Sequence, residues 1–399
     1  MLHLAVPLLL ATLASPTTPA AATGSAAAGS PAEAFRARHL SGRTIAASNL
    51  TFRVGGGGYT LLDGSLREIV GKDDRPIGFF FEGHGRLSWA VEENESAAAK
   101  VYSDNARRVG GFDVGKDRSL TASFTRASLY FAEKERPSLG DPAAANEDAS
   151  AAYAKHQARF AQDRFPAPEL GLAAARANGG VYYSALLEGS RDVRHEVDDV
   201  LGNEETLAVV SEMESTPTGF IGWRFSREVA HRPVGRGRHA HPRFDYRLVD
   251  VDVDIREGAG GRGTLLVDET VVPERPVRAL SFELYSEKLV NKGFTEARTL
   301  LSAVTDDRGK PIAHAFAKGQ LVLFFPEPLA AHVPLKLRFE YDGGFFGRSF
   351  GDNYWDLELG APWYPRPVST AAAAHTFHAV IRARKPFTPF ASGDVVRRE

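Results

Sequence analysis

The stretch Phe244 to Ile255 constrains the fold more than any other part of the chain. Val249, Val251, Val253 and Ile255 fall on one face of an extended strand, and Asp250, Asp252 and Asp254 fall on the other. A helix would scatter both sets around its axis, whereas the period of two suits a strand with one buried face. Further β-branched and aromatic runs follow at roughly ten-residue spacing, the pattern of a sandwich. They lie at Gly263 to Val272, Val277 to Tyr285, Glu296 to Thr305, Gln320 to Phe325, Pro334 to Tyr341 and Ala374 to Ala383. Asp307-Arg308-Gly309 and Lys318-Gly319 read as hairpin turns.

The first half is also strand-like. Thr51 to Val54 ends at Gly55 to Gly58, and Tyr59 to Leu62 stops at Asp63-Gly64. Ile77 to Phe81 and Arg86 to Ala90 flank Gly83-His84-Gly85, which reads as a tight turn. Between about 142 and 178 alanine dominates, and Tyr153 and Phe160 are spaced for one helical face. Pro166 and Pro168 divide this stretch into two helices, and Gly179-Gly180 closes the second. The expected fold is therefore mainly β: antiparallel sandwich or saddle sheets in two domains, at 43–232 and 243–399, with a short helical insertion. At 399 residues two domains are the default.

The N-terminus points to export. Leu4 to Leu13 is apolar but too short to span a bilayer, and Ala20-Ala21-Ala22 fits a signal-peptidase site, with cleavage after Ala22. His3 is the only basic residue before the apolar run. Ala, Gly, Ser and Pro then make residues 23–42 a disordered linker. A periplasmic or extracellular location follows as the expectation. No later run has the length of a transmembrane helix. The formal charge of −2 gives no reason to expect a nucleic-acid partner, and the lack of cysteine excludes disulfides and thiolate sites.

No complete catalytic motif is present. Gly347-Arg348-Ser349-Phe350-Gly351 spells G-x-S-x-G, but Gly360 and Pro362 leave no helix to follow Ser349, as a nucleophile elbow requires. His195-Glu196-Val197-Asp198-Asp199 opens like the zinc helix H-E-x-x-H, yet Asp199 stands where the second histidine belongs, and the flanking valines favour a strand. His231, His239 and His241 are the remaining metal candidates; Arg232, Arg236, Arg238 and Arg243 crowd them and favour a basic loop. Asp250, Asp252 and Asp254, at ~7 Å intervals, read as a solvated strand face, since the turning loop of a calcium site is absent. His375 and His378 fall on opposite strand faces, and Gly55 to Gly58 lacks the Lys and helix of a phosphate loop.

Several segments together resemble a known family. They are the strand Tyr246 to Ile255, the hairpins through Tyr341-Asp342-Gly343-Gly344, Trp363-Tyr364-Pro365, Thr376 to Ile381, and Pro386 to Gly393. In this order they resemble the N-terminal β-sandwich of the aminopeptidase N family of zinc metallopeptidases. Asp63-Gly64, Gly78-Phe79-Phe80-Phe81 and Gly83 to Leu87 are similar to a β-rich extension of exported bacterial members. Arg366-Pro367 departs from the acidic residues that follow the aromatic-proline step in the family. The family's G-x-M-E-N and H-E-x-x-H motifs, which lie C-terminal to the sandwich, are missing. The resemblance implies a non-catalytic region that packs on a metallopeptidase catalytic domain or chain and shapes peptide access to it. Zinc is then expected only on that missing domain, so this chain carries no cofactor and no catalytic residue of its own. The alternative is a free-standing binding module for peptide, glycan or protein. In either case Trp355, Trp363 and Tyr364 are the candidate interaction surface.

Overall fold

The computed structural model describes residues 30–92, 119–132, 139–145, 147–161, 167–200, 204–211, 220–228, 244–255, 263–284, 299–343 and 376–383. Short pieces at 96–97, 99–100, 113–114, 136–137, 346–348, 355–357, 363–367, 388 and 394 complete it. The fold is mainly β. The first half forms one antiparallel sheet from β1 (His39–Val54), β2 (Gly57–Val70), β3 (Pro76–Trp89), β4 (Asp113–Val114), β5 (Leu120–Phe131) and β6 (Ala143–Ala144). It continues through β7 (Tyr182–Gly189), β8 (Asp192–Asp198), β9 (Glu204–Ser211) and β10 (Phe220–Glu228). Strand order is β10-β9-β8-β7-β5-β3-β2-β1-β6, with β4 on β5, so the long strands run as a meander.

Two expected strand breaks are not breaks. β2 runs unbroken through Asp63-Gly64, and β3 through Gly83-His84-Gly85. Gly64 pairs with Gly83 across the two strands, between shifts of register at Leu61/Asp63 and Glu82/Gly85. Their φ values are +127° and +150°. A Cβ on Gly64 would lie 2.1 Å from the Glu82 carbonyl oxygen, and one on Gly83 would lie 2.0 Å from that of Asp63. These glycines let two long strands kink together, which bends a sheet instead of ending it.

The bend shows in side-chain contacts. Tyr59 on β2 touches His195 on β8 at 2.7 Å. Four strand spacings separate β2 from β8, about 19 Å in a flat sheet. The sheet must therefore coil, with Phe81, Trp89, Phe124, Leu187, Leu207 and Phe225 packed inside the curve.

The outer face carries the helices. α1 (Glu33–Arg36) tucks Phe35 against this layer, so residues 30–42, expected to belong to a disordered linker, hold a helical turn and the start of β1. The apolar Ala32 and Phe35 supply the burial that a pure Ala/Gly/Ser linker lacks. α2 (Ser150–Ala161) buries Tyr153 and Phe160 together, as their spacing indicates. α3 (Pro168–Asn178) starts on a proline and ends at Gly179, in left-handed conformation, whose N–H bonds Ala175 O.

The second half is a sandwich. Its strands are β11 (Phe244–Ile255), β12 (Gly263–Pro273), β13 (Val277–Glu283), β14 (Leu300–Asp306), β15 (Ala313–Ala317) and β16 (Gln320–Leu329). Then come β17 (Leu335–Gly343), β18 (Phe346–Arg348), β19 (Trp355–Leu357), β20 (Arg366–Pro367) and β21 (Thr376–Ala383). One sheet runs β14-β17-β12-β11-β21, the other β15-β16-β13-β20, and β18-β19 is a separate hairpin. Val267, Leu280, Phe282, Leu321, Leu323 and Phe339 pack between the two larger sheets. Lys318-Gly319 is the β15–β16 hairpin turn. Asp307-Arg308-Gly309 closes a short antiparallel hairpin, with Thr305 bridging Pro311 and the Ile312 N–H bonded to Val304 O, before the chain crosses from β14 to β15 in the other sheet.

The two halves share a core. Ala279, Ala315, Ala317, Val322 and Phe324 alternate with the sandwich residues and turn toward the helices. Asn178 at the end of α3 accepts the N–H groups of Arg278 (2.6 Å) and Ala279 (3.2 Å). The four-stranded sheet is thus buried on both faces. Among the described residues no helix is long and apolar enough to cross a membrane.

Candidate functional site

The densest polar cluster lies inside the coiled sheet. β8 confirms the segment around His195 as a strand, with His195 facing the inner core and Glu196 the outer face. His195 Nε2 lies 3.0 Å from Glu205 Oε1, and its Nδ1 lies 2.7 Å from the Tyr59 hydroxyl. The same Glu205 oxygen accepts Trp89 Nε1–H (3.0 Å) and Gly56 N–H (2.7 Å). Burial alone would raise the Glu205 pKa; the His195, Trp89 and Gly56 hydrogen bonds overcome it and hold the carboxyl at about 2. Burial pushes the Tyr59 phenol well above its ordinary value.

This explains the glycine run at 55–58. A Cβ on Gly55 would stand 2.7 Å from the Glu205 carboxylate, and one on Gly57 would stand 2.6 Å from His195 Cε1. The loop cradles an internal carboxylate instead of a phosphate. The order Glu205–His195–Tyr59 has the partners of an acid–base relay, but Tyr59, His195 and Glu205 are at most 1% exposed. A relay closed to solvent does no chemistry on a substrate; it fastens β2 and β3 to β8 and β9 across the curve.

A second polar layer lies under α2. His156 Nδ1 is 3.0 Å from Glu188 Oε2, and Arg126 Nη1 donates to Glu188 Oε1 at 2.8 Å. The His156 hydrogen bond, followed against burial by the Arg126 charge, holds the Glu188 pKa below the ordinary carboxylate value. Arg194 donates twice to Glu196 beside it. These groups neutralise one another between sheet and helix.

The expected surface residues fare differently. His231, His239, His241, Ser349 and His375 lie outside the described residues. Asp250, Asp252 and Asp254 lie on β11, of which only the main chain is described, and the side chain of Trp355 on β19 is likewise outside the description. Trp363 and Tyr364 are partly buried and come together at 4.9 Å between ring centroids. Phe377, which the sequence did not single out, joins them at 5.9 Å and 5.5 Å. Tyr341 Oη donates to the Trp363 carbonyl oxygen at 2.8 Å and fixes this segment on the sandwich.

Phe377 belongs to β21, which pairs in parallel with β11 and stands at the end of the five-stranded sheet. Parallel strands are ordinarily covered on both faces. Here Thr376 to Val380 are all exposed, with Phe377 40% and Val380 54% accessible. Phe377 and Val380 point to opposite faces by their odd spacing. Among the described residues no three His, Asp or Glu side chains gather as a metal site.

No protein-family profile matches the chain, and no curated protein sequence matches it. Similar solved structures include an M1 zinc metallopeptidase from Deinococcus radiodurans, with 15% identity and a TM-score of 0.27. That match covers 35% of this chain and 32% of the other. A point mutant of the M1 zinc metallopeptidase from the same organism, bound to a Tyr-Ser-Ala substrate, gives 17% identity and a TM-score of 0.22. It covers 27% of this chain and 22% of the other. The chain spans about a fifth to a third of such enzymes, and the likeness is a distant one of fold that carries no functional argument by itself.

Proposed function

We propose that this chain is the non-catalytic N-terminal part of an exported, aminopeptidase-like metallopeptidase. Its sandwich packs against a catalytic domain outside this sequence and shapes the entry of peptide substrates. One observation carries the reading: β21 is a parallel edge strand whose apolar side chains face solvent on both sides, next to the aromatic group Trp363, Tyr364 and Phe377. An edge strand with apolar side chains exposed on each face leaves room for a covering body, and that is the contact the proposal assigns to the catalytic domain. The order of segments resembling the aminopeptidase N sandwich names the kind of body. Zinc and the hydrolytic residues belong to that body, and the Ala-rich leader suits export.

The test uses the mature chain from Thr23 and its double variant Phe377→Asp, Val380→Asp. Neither should hydrolyse aminoacyl-p-nitroanilides alone or carry stoichiometric zinc. The wild-type chain, tagged and returned to the periplasmic or secreted fraction of its own host, should retain chelator-sensitive aminopeptidase activity, and the variant should not. Turnover by the chain alone, with one zinc per molecule, would overturn the proposal. Retention of no peptidase by either chain would favour a free-standing binding module.

A further inference from the structure

Glu269 is the one carboxyl of the sandwich core whose two oxygens both lack a hydrogen-bond partner among the described residues. It sits on the inward row of β12 with Leu265, Val267 and Val271, and it is 1% exposed. A buried acceptor left unpaired destabilises the fold, and an unpaired charge does so more strongly. Met would occupy similar volume without that penalty. A group kept at such a cost is a candidate for a partner that the isolated chain lacks.

The surroundings indicate what that partner is. The Glu269 carboxyl acts electrostatically on the Tyr341 and Tyr364 phenols, whose pKa values burial first and Glu269 next push upward. Main-chain register sets Glu269 opposite Val249 and Val249 opposite Phe377, so Glu269 and Phe377 lie two strands apart on the same face of the sheet. Trp363, Tyr364 and Phe377 offer ring surfaces of the kind that attract ammonium and guanidinium groups. The cation of this chain that also acts on Tyr364 is Arg366, which is held by Glu283 at 3.5 Å.

We infer that Glu269 and the Trp363–Tyr364–Phe377 group form a subsite for a cationic side chain, lysine or arginine, projected by the body that covers β21. The inference rests on the reading of this face as a docking surface and names the chemistry of the partner there. Trp363 and Tyr364 pack together on the sandwich, and Tyr341 anchors the Trp363 backbone behind them. Burial keeps Glu269 protonated well above the ordinary carboxylate range. Entry of a cation ionises the carboxyl and releases its proton to solvent, so affinity rises with pH.

The experiment uses the chain alone with butylammonium chloride as probe and 1-butanol as its uncharged counterpart. Tryptophan fluorescence is read against Trp363→Phe, and calorimetry in two buffers of different ionisation enthalpy counts protons. Wild type should bind butylammonium saturably with release of a proton, more tightly at pH 8 than at pH 6. Glu269→Gln should bind at least tenfold more weakly, with no proton release. Glu269→Met should melt higher than wild type and bind no probe, which separates lost binding from lost folding. Equal responses of wild type and Glu269→Gln, or of butylammonium and butanol, would overturn the subsite. Probe binding by a chain that retains no peptidase would instead overturn the docking reading and leave the subsite standing.

Discussion

Glu205→Gln tests whether the buried relay holds the coiled sheet closed. The substitution keeps the size of the side chain and removes its charge. Three donors converge on Glu205 Oε1 in the wild type: His195 Nε2, Trp89 Nε1 and Gly56 N. A charged acceptor strengthens each such bond by about 1 kcal/mol over a neutral one, or about 3 kcal/mol in all. The depressed pKa, which reflects the same three bonds set against burial, is of matching size. A carboxyl moved from 4.5 in the unfolded chain to about 2 in the folded one corresponds to about 3 kcal/mol. Because the folded value is depressed, this stability is fully present above pH 4.5 and is lost as pH falls toward 2. Urea unfolding at pH 7, followed by Trp89 fluorescence against a Trp89→Phe background, should show the variant about 3 kcal/mol less stable. Between pH 4.5 and 2 the wild type should lose about 1.4 kcal/mol per pH unit relative to the variant, until the two converge. A loss below 1 kcal/mol at neutral pH, or parallel pH profiles, would refute the account of Glu205 as the charged centre of the fastening.

Gly83→Ala drives a Cβ into the Asp63 carbonyl from a left-handed φ, and should cost more than 3 kcal/mol or abolish folding. Gly42→Ala has the same sign of φ but open space, and should cost about 1 kcal/mol; thermal melts of the pair separate collision from conformation. Asn178→Ala removes the acceptor for two N–H groups of β13, and should cost about 2 kcal/mol. Hydrogen exchange should then quicken at Arg278 and Ala279 before it does elsewhere in β13. Glu269 has a raised folded pKa, so its contribution is complete below 4.5 and is lost as pH rises through the folded value. Glu269→Met should therefore widen its stability advantage over wild type between pH 5 and pH 8, as measured by chemical denaturation.

The sandwich was legible because its signals are local. The strand over Phe244 to Ile255, the Lys318-Gly319 turn, and the proline start and glycine stop of α3 each rest on a few residues, and the structure keeps them. The coiled sheet was not legible for the opposite reason. Gly64 and Gly83 carry the same letters as strand-ending glycines; only their pairing across β2 and β3 turns them into a kink. Ordinary turn chemistry reads Gly83-His84-Gly85 as a stop, and no short-range pattern tells it from a bend. The glycines at 55–58 depend on partners about 140 residues away, so their need for bare backbone cannot show in their own neighbourhood.

The same distinction governs the site. Trp363 and Tyr364 stood out as adjacent aromatics, but Phe377 and Glu269 acquire their meaning only when β21 lies beside β11 and β12 turns its even face to solvent. By sequence Glu269 occupies an inward position among valines and leucines, where local patterning calls for an apolar residue. Foldable sequences are ordinarily consistent at every level, and a conflict that persists in a well-packed core points to a requirement outside folding. The buried relay shows how such conflicts are resolved within the chain: Glu205, equally deep, has its charge met by three donors and stabilises the fold. Glu269 has no such donor among the described residues, and that contrast is what motivates a subsite completed from outside the sandwich.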